Sequence, residues 1–387
     1  MTARKKPDTG SGKPKPGPAS ELLPSVPKYR QILEDLRDGI ESGRLKPGDK
    51  LQSEAELGAH YKASRITVAK AMNELMQLGL VSRRAGSGTH VLGAPSMQGH
   101  VFGLLIPDLG RTEIFEPICQ GMMRSPLARA HSLLWGQSIA DGERQAQDAL
   151  RLCQHYIAQR VAGVFFAPLE YTPEKDQANL AIAAALEKAE IPIVLLDRCY
   201  MPFPTRSPHD LVGIDNRATG YMITSHLLKL GVTRPAFVSR ARSASSVLGR
   251  IAGYREALIA HGLDVRENRV CEGDVSDPAF VHSLLDELKP DGFVCSNDIT
   301  AGRLILTLAS LGVRVPNDMP VVGVDDVKYA ELFSVALTTQ HQNCSELGAI
   351  ALATMLQRLE QPELPIRDVL LQTETIVRNS CGTMLKQ

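Results

Sequence analysis

Ser64-Arg65-Ile66-Thr67-Val68-Ala69-Lys70-Ala71-Met72-Asn73-Glu74-Leu75 is the stretch whose reading decides the fold. The Ser64 hydroxyl is able to accept from an unpaired amide at a helix start, and Val68, Ala71, Met72, Leu75 and Leu78 follow at helical spacing. One face is therefore buried. The first turns offer Arg65, Ile66, Thr67, Ala69 and Lys70 on the other face, a partly basic surface suited to entering a DNA major groove N-terminus first. An ordinary amphipathic surface helix carries the same pattern, so the flanking segments have to decide.

Upstream, Tyr29, Ile32, Leu33, Leu36 and Ile40 make one helical stripe that ends near Ser42-Gly43. Leu45-Lys46-Pro47-Gly48-Asp49-Lys50-Leu51 reads as a turn and a short extended piece. Ser53-Glu54-Ala55-Glu56-Leu57 then has the capping-box spacing, with Ser53 three residues before Glu56. That helix reaches about Tyr61, and the Lys62-Ala63 link leads to Ser64, which completes a helix-turn-helix. Downstream, Leu80 to Val91 reads as two short strands around a glycine turn, with Arg83 and Arg84 on the first: a wing fit to lie along a neighbouring minor groove.

With Leu45 to Glu54, Ser64 to Val68 and Gly86-Ser87-Gly88-Thr89 at matching spacing, residues 29–91 resemble the winged-helix domain of the GntR family of bacterial transcription regulators. The resemblance implies that Arg65 and Thr67 meet DNA and that the Gly86, Ser87 and Gly88 wing tip sits beside them. Ser53, Glu54, Ser64, Lys70, Arg83 and Arg84 complete the candidate DNA-contacting set. Ala69 stands where the family often has Arg, and Ala55 where one well-known relative has a base-reading Arg, so no operator sequence carries over.

Charge follows the same division. Residues 1–92 hold 16 Lys+Arg against 10 Asp+Glu, which leaves 27 against 33 of the 43 and 43 for the remainder. A basic front with an acidic remainder suits a nucleic-acid-binding module joined to one that avoids nucleic acid. Residues 1–26, rich in Lys, Pro, Gly and Ser, are expected to be a disordered basic arm. The winged helix-turn-helix is expected over 27–92 and a linker over 93–99.

From residue 100 to 387, short apolar runs alternate with helical stretches, with strands expected at 101–106, 132–136, 161–166, 192–196, 236–239, 292–295 and 320–324. Such alternation predicts an α/β class with parallel sheets, and its length predicts two lobes. Ligands in such folds sit outside the carboxyl ends of the strands. Those ends carry Pro107-Asp108, Ala167-Pro168, Asp197-Arg198, Ser239-Arg240, Ser296-Asn297-Asp298 and Asp325-Asp326. Carboxylates there accept from hydroxyls and an arginine fork donates to adjacent oxygens, although helix capping also explains a strand-end Asp. Asp325-Asp326 read as turn residues, since neighbours on an extended chain point apart.

Phe102 to Asp108, Ile193 to Arg198, Val212 to Asn216, Arg250-Ile251-Ala252-Gly253-Tyr254, Cys295 to Asp298, Val321 to Asp326 and Leu337 to Gln342 give this part a resemblance to the effector domain of LacI/GalR repressors and to type I periplasmic sugar-binding proteins. The resemblance implies a two-lobed periplasmic-binding-protein-like fold. It further implies effector contacts from Arg250, Asp298 and Gln342, with Asp197 at the cleft and Phe115 packing beside it. A GntR-type head before such a domain is similar to the arabinose repressors of AraR type, which implies a sugar effector, most simply a pentose. A nucleoside or purine stays open at this point.

The seven scattered cysteines form no C-x-x-C pair, the histidines offer no metal-ligand spacing, and no nucleophile elbow or phosphate-binding lysine loop occurs. Trp135 is expected in the core, on an inner strand. No apolar run matches a membrane span and no signal segment follows the N-terminus, so a cytoplasmic protein is expected. The reading is a non-enzymatic, cofactor-free, ligand-responsive transcription regulator, a repressor and homodimer that binds a double-stranded DNA operator. Its rivals are a solute-binding protein for sugar uptake, which needs export, and a pyridoxal-phosphate enzyme behind a GntR-type head, which needs a Schiff-base lysine.

Overall fold

The computed structural model describes residues 27–383 apart from 78–79, 85–87, 92–98, 108, 110–113, 137–143 and 266–268. The arm expected over 1–26, most of the linker expected over 93–99, and the wing-tip residues Gly86 and Ser87 lie outside the described residues. Two compact units divide between Met97 and Gln98.

In the first unit, α1 (Lys28–Glu41), α2 (Glu54–His60) and α3 (Arg65–Gln77) precede β1 (Val81–Arg84) and β2 (Gly88–Val91). Ile32, Leu36, Leu57, Val68, Ala71, Met72 and Leu75 are buried together, the stripes that the helical spacing predicts. Each fully buried large aliphatic side chain contributes roughly 1.5–3 kcal/mol. The capping box forms as expected: Glu56 N donates to Ser53 Oγ at 3.3 Å, and Ser53 N donates back to Glu56 Oε2 at 2.7 Å. β1 and β2 pair antiparallel, Val81 opposite Val91 and Arg83 opposite Thr89. The Pro47–Leu51 segment runs along β2, with Leu51 N donating to Thr89 O and Val91 N to Asp49 O, both at 2.9 Å.

The second unit holds two six-stranded sheets. The first lobe contains β3 (Val101–Leu105), β4 (Ser132–Trp135), β5 (Gly163–Phe166), β6 (Ile193–Leu196) and β7 (Asp210–Ile214). The second contains β8 (Pro235–Ser239), β9 (Val270–Glu272), β10 (Gly292–Cys295), β11 (Val321–Asp325) and β12 (Thr338–His341). β13 (Asp368–Leu371) returns to the first sheet and β14 (Glu374–Ile376) to the second, giving orders β13-β7-β6-β5-β3-β4 and β14-β12-β11-β10-β8-β9. Pairing is parallel throughout except at β14, which runs antiparallel to β12. The fully buried runs of β5, β6 and β10 reflect helices on both faces.

Helices α4 (Phe115–Arg124), α5 (Gln145–Gln159), α6 (Lys175–Lys188) and α11 (Cys344–Glu360) cover the first sheet. Helices α7 (Asn216–Lys229), α8 (Ser245–Ala260), α9 (Pro278–Leu288) and α10 (Asp298–Ser310) cover the second. The chain crosses between lobes after β7, after β12 and between β13 and β14. Glycines let the helix pairs beside two crossings close up: a Cβ on Gly121 would lie 2.1 Å from Ser345 O, and one on Gly220 2.1 Å from Arg250 O.

The seven expected strands are present, and Trp135 is a correction. β4 is an edge strand rather than an inner one, and the Trp135 side chain is 66 % exposed instead of lying in the core. Strands β7, β9, β12, β13 and β14 were not among those expected. β12 shows why: Thr338, Thr339 and Gln340 look like a polar loop, yet they are fully buried because their polar atoms pair internally, as in Thr339 Oγ1 donating to Asp298 Oδ1 at 2.6 Å and Gln340 Nε2 to Thr375 Oγ1 at 2.6 Å.

Candidate functional site

In the DNA-binding unit, Ser64 Oγ accepts from Thr67 N at 3.2 Å and lies 2.8 Å from Thr67 Oγ1, so the serine that starts α3 also fixes the threonine of its first turn. Arg65, with a side chain 88 % exposed, and Ile66 project from that turn. Glu54, read as a contact, has partners within the fold. Its carboxylate accepts from Arg83 Nη2 at 2.6 Å and lies 3.7 Å from Arg65 Nε, so it orients one wing arginine and the first arginine of α3. A carboxylate does not meet phosphates, so any contact of Glu54 with DNA would be to a base-edge donor, beside the two arginines it orients. Ser53 is likewise occupied by its capping box. Lys70 Nζ sits 4.1 Å from the Tyr29 ring centroid, which holds the lysine against α1. Arg84 pairs through its backbone with Gly88, whose φ of +101° favours glycine and whose absent side chain leaves space for Lys50.

In the second unit, the strand ends bring together Phe115, Asp197, Arg198, Arg250, Asp325 and Gln342. Arg250 is buried on α8 and uses its whole fork: Nε donates to Asn216 Oδ1 at 2.9 Å, Nη1 to the Ser296 carbonyl, and Nη2 stands 3.5 Å from Asp325 Oδ1. Gln342 Nε2 donates to the same Asp325 oxygen at 2.6 Å, which leaves Gln342 Oε1 buried and without a partner. From the first lobe, Arg198 Nε lies 3.1 Å from Asp197 Oδ2, and Asp197 Oδ1 is also buried without a partner. Arg198 also pairs with Glu170 and lies 5.4 Å from the centre of the buried Phe115 ring. Asp197 and Asp325 both adopt positive φ, +69° and +123°, strained backbone of the kind that clusters at binding sites.

The electrostatics follow the burial. Burial raises the Asp325 carboxyl, Arg250 and Gln342 offset part of that rise, Asp197 and Glu170 add to it, and the group is pushed up to about 7. Burial works against the charged Arg198, but Glu170 and Asp197 outweigh it and hold the guanidinium above its usual range. A carboxyl that titrates near 7 in the folded chain and near its ordinary value of about 3.9 when unfolded binds its proton more tightly in the folded state. Its contribution to stability is therefore complete below about pH 4 and lost as the pH rises through about 7. The thermal midpoint is expected to fall from pH 5 to 8, less steeply in Asp325→Asn, and an unchanged slope in that variant would show that Asp325 titrates normally.

Asp298 is a further correction. Its two oxygens accept from Thr339 Oγ1 at 2.6 Å and Val327 N at 3.0 Å, and the side chain is fully buried within the second lobe rather than lining the cleft. Burial, then Asp325, raises its carboxyl well above the usual range. The cap of α10 is Asn297, whose Oδ1 accepts from Thr300 N at 2.9 Å. Asp325, read as a turn residue, is the carboxylate that faces Arg250. Asp326 does point away from it, toward His341 at 2.9 Å and Arg378 at 2.8 Å. Glu170, in a segment with no motif, was the residue that sequence reasoning missed outright. Among the described residues no His/Cys/Asp/Glu cluster has metal-site geometry, all seven thiols are free, and no helix is long and apolar enough to cross a membrane.

Residues 28–91 match the family model described as bacterial regulatory proteins of the gntR family, and residues 224–381 match a periplasmic binding protein-like domain. The chain is similar to an arabinose metabolism transcriptional repressor of Geobacillus stearothermophilus, 26 % identical over 370 residues that span 92 % of this chain and 98 % of the relative. It is also similar to the HTH-type transcriptional repressor PurR of Pectobacterium carotovorum, 30 % identical over 250 residues that span 63 % of this chain and 69 % of the relative. In fold it resembles a transcriptional regulator CelR–cellobiose complex, with a TM-score of 0.63 and 23 % identity over 82 % of this chain and 90 % of that one. The chain therefore belongs to the family of ligand-responsive, DNA-binding bacterial transcription repressors, with a gntR-type winged helix-turn-helix before a LacI/GalR-like effector domain.

Proposed function

We propose that this repressor is controlled by a small sugar, most simply a pentose such as arabinose, bound between the lobes of the effector domain. The observation that carries the reading is the pair of buried acceptors without donors, Asp197 Oδ1 and Gln342 Oε1, beside the Arg250 fork. Buried polar atoms call for partners, and a ring bearing several hydroxyls supplies donors to the acceptors and oxygens to the guanidinium. The full-length likeness to an arabinose metabolism repressor points the same way. Phe115, Asp197, Arg250, Asp325 and Gln342 are the proposed contact residues, with Arg198 orienting Asp197. On the DNA side, Arg65 and Thr67 read base edges, Arg83 and the wing follow the neighbouring groove, and the remaining basic residues meet phosphates.

A homodimer acting in the cytoplasm completes the reading, since a twofold dimer sets two recognition helices about one DNA turn apart. Leu306, 63 % exposed, and Leu332, 82 % exposed, border an apolar groove with Ile299, Tyr329 and Phe333 that suits pairing between effector domains. Sugar favours one lobe arrangement, the dimer geometry changes, and the heads lose their register on DNA. A repressor of a sugar's breakdown serves its purpose only if that sugar lowers operator affinity. Thermal-shift measurements against pentoses, hexoses, sugar phosphates, nucleosides and purines test the ligand class. A ligand at 100 times its Kd adds about 2.7 kcal/mol of stability, so a pentose should raise the midpoint by about 5 °C or more. A response confined to nucleosides or purines would overturn the sugar reading.

A further inference from the structure

Helix α8 carries Arg250 into the cleft, yet it begins at Ala244, which has no side chain to cap the orphan amides of its first turn. The other lobe supplies the missing group. Glu170, just beyond β5, accepts from Ala244 N through Oε2 at 3.2 Å, which sets a carboxylate at the positive end of α8. Its Oε1 pairs with Arg198, and Arg198 in turn holds Asp197. The neighbouring contacts also join the lobes: Tyr171 N donates to Arg242 O at 2.9 Å, the Arg240 guanidinium lies 4.0 Å from the Tyr171 ring centroid, and Ser245 Oγ donates to Cys199 O at 2.6 Å. Tyr171 and Arg242 hold φ values of +62° and +59°, left-handed backbone that non-glycine residues keep only when their surroundings enforce it. Here the enforcing surroundings lie on opposite sides of the cleft.

We infer that Glu170 is a positioning residue for the effector response: one carboxylate joins the Arg198–Asp197 pair of the first lobe to the start of the Arg250 helix in the second, so both walls of the cleft settle together. The proposal deepens the regulation of the cleft described above and rests on that cleft being the effector site. The Glu170–Arg198 pair lies within the first lobe and holds the carboxylate in place, whereas the bond to Ala244 N forms only when the lobes are closed, so each change that favours closure also ties the Asp197 wall to the start of the Arg250 helix. Losing the carboxylate removes the cap and one anchor of Arg198 at once. The open arrangement then gains population, and the affinity for an effector that needs closure falls by the same factor.

Hydrogen exchange on the full-length chain without sugar reads this device directly, because the amides of Tyr171 and Ala244 are both interlobe donors. Segments 169–173 and 242–248 should be protected in the parent chain and exchange about tenfold faster in Glu170→Ala, with β6 and β10 unchanged. Glu170→Gln keeps an acceptor for Ala244 N without the ion pair, and should fall between the two. The L-arabinose affinity should weaken in the same order, while operator affinity without sugar should not fall, because the arrangement that sugar favours loses population. If both segments in Glu170→Gln and Glu170→Ala exchange as in the parent, Glu170 does not join the lobes and the inference fails. A parent chain indifferent to arabinose would fail in the binding assay instead, which distinguishes loss of the sugar reading from loss of the interlobe tie.

Discussion

An Arg250→Ala chain is expected to bind its operator as tightly as the parent and to lose the effector response at sugar concentrations that just saturate the parent. Arg250 has three partners inside the fold, Asn216, the Ser296 carbonyl and Asp325, and the last of these is shared with Gln342. Truncation removes the guanidinium that faces Asp325 and leaves a buried carboxyl without that cation, a change that costs about 3–5 kcal/mol where the carboxyl must stay charged. Asp325 can take up a proton instead, because it already titrates near 7, so the domain should fold while its cleft is disarmed. Effector affinity should drop on the order of 100-fold, the equivalent of about 2.7 kcal/mol. Arg250→Lys is the instructive comparison. It restores the charge without the planar fork that reaches three acceptors, so it should recover stability more than response. Calorimetric titration with the sugar checks both variants, and a normal response in Arg250→Ala would remove α8 from the effector site.

The second large effect is expected at Arg65. Its side chain is almost fully exposed and, among the described residues, pairs with Glu54 at 3.7 Å, an ion pair worth about 0–1 kcal/mol at the surface. Arg65→Ala should leave the thermal midpoint within error. On specific DNA it should lose about 1–3 kcal/mol per good base contact, up to roughly 150-fold, while binding to random duplex changes little. Anisotropy with a duplex selected in vitro by the parent chain, run beside a scrambled duplex, separates the two terms. Equal losses on both would make Arg65 a phosphate contact, and unchanged affinity on both would remove α3 from DNA recognition.

Much of this was legible in the sequence because the helices of the first unit announce themselves locally. Ser53 with Glu56 and Ser64 with Thr67 are caps that act within four residues, and the stripes Ile32-Leu36-Ile40 and Val68-Met72-Leu75 have a period that only a helix buries on one side. The inner strands of the effector domain were legible for a similar reason: Ile193–Leu196 and Gly163–Phe166 are apolar without interruption. What stayed hidden depends on distant partners. Thr338 to Gln340 form a buried strand only because Asp298, Ser380 and Thr375 come to meet them from elsewhere in the chain. The same blindness exchanged Asp298 for Asp325. Both stand at strand ends, and nothing local says that the first is spent on Thr339 and Val327 while the second turns toward Arg250. Glu170 carries no motif, and its role exists only when two lobes close on it.

The most direct test of the account is the affinity of the full-length chain for its selected operator, measured by anisotropy with and without a saturating pentose. Sugar control through the cleft predicts that arabinose, or the pentose found by thermal shift, weakens operator binding by a coupling of about 1–3 kcal/mol, or 5- to 150-fold. Glucose and adenosine at the same concentration should have no effect. Operator affinity indifferent to every pentose, with adenosine or a purine shifting it instead, would contradict the account.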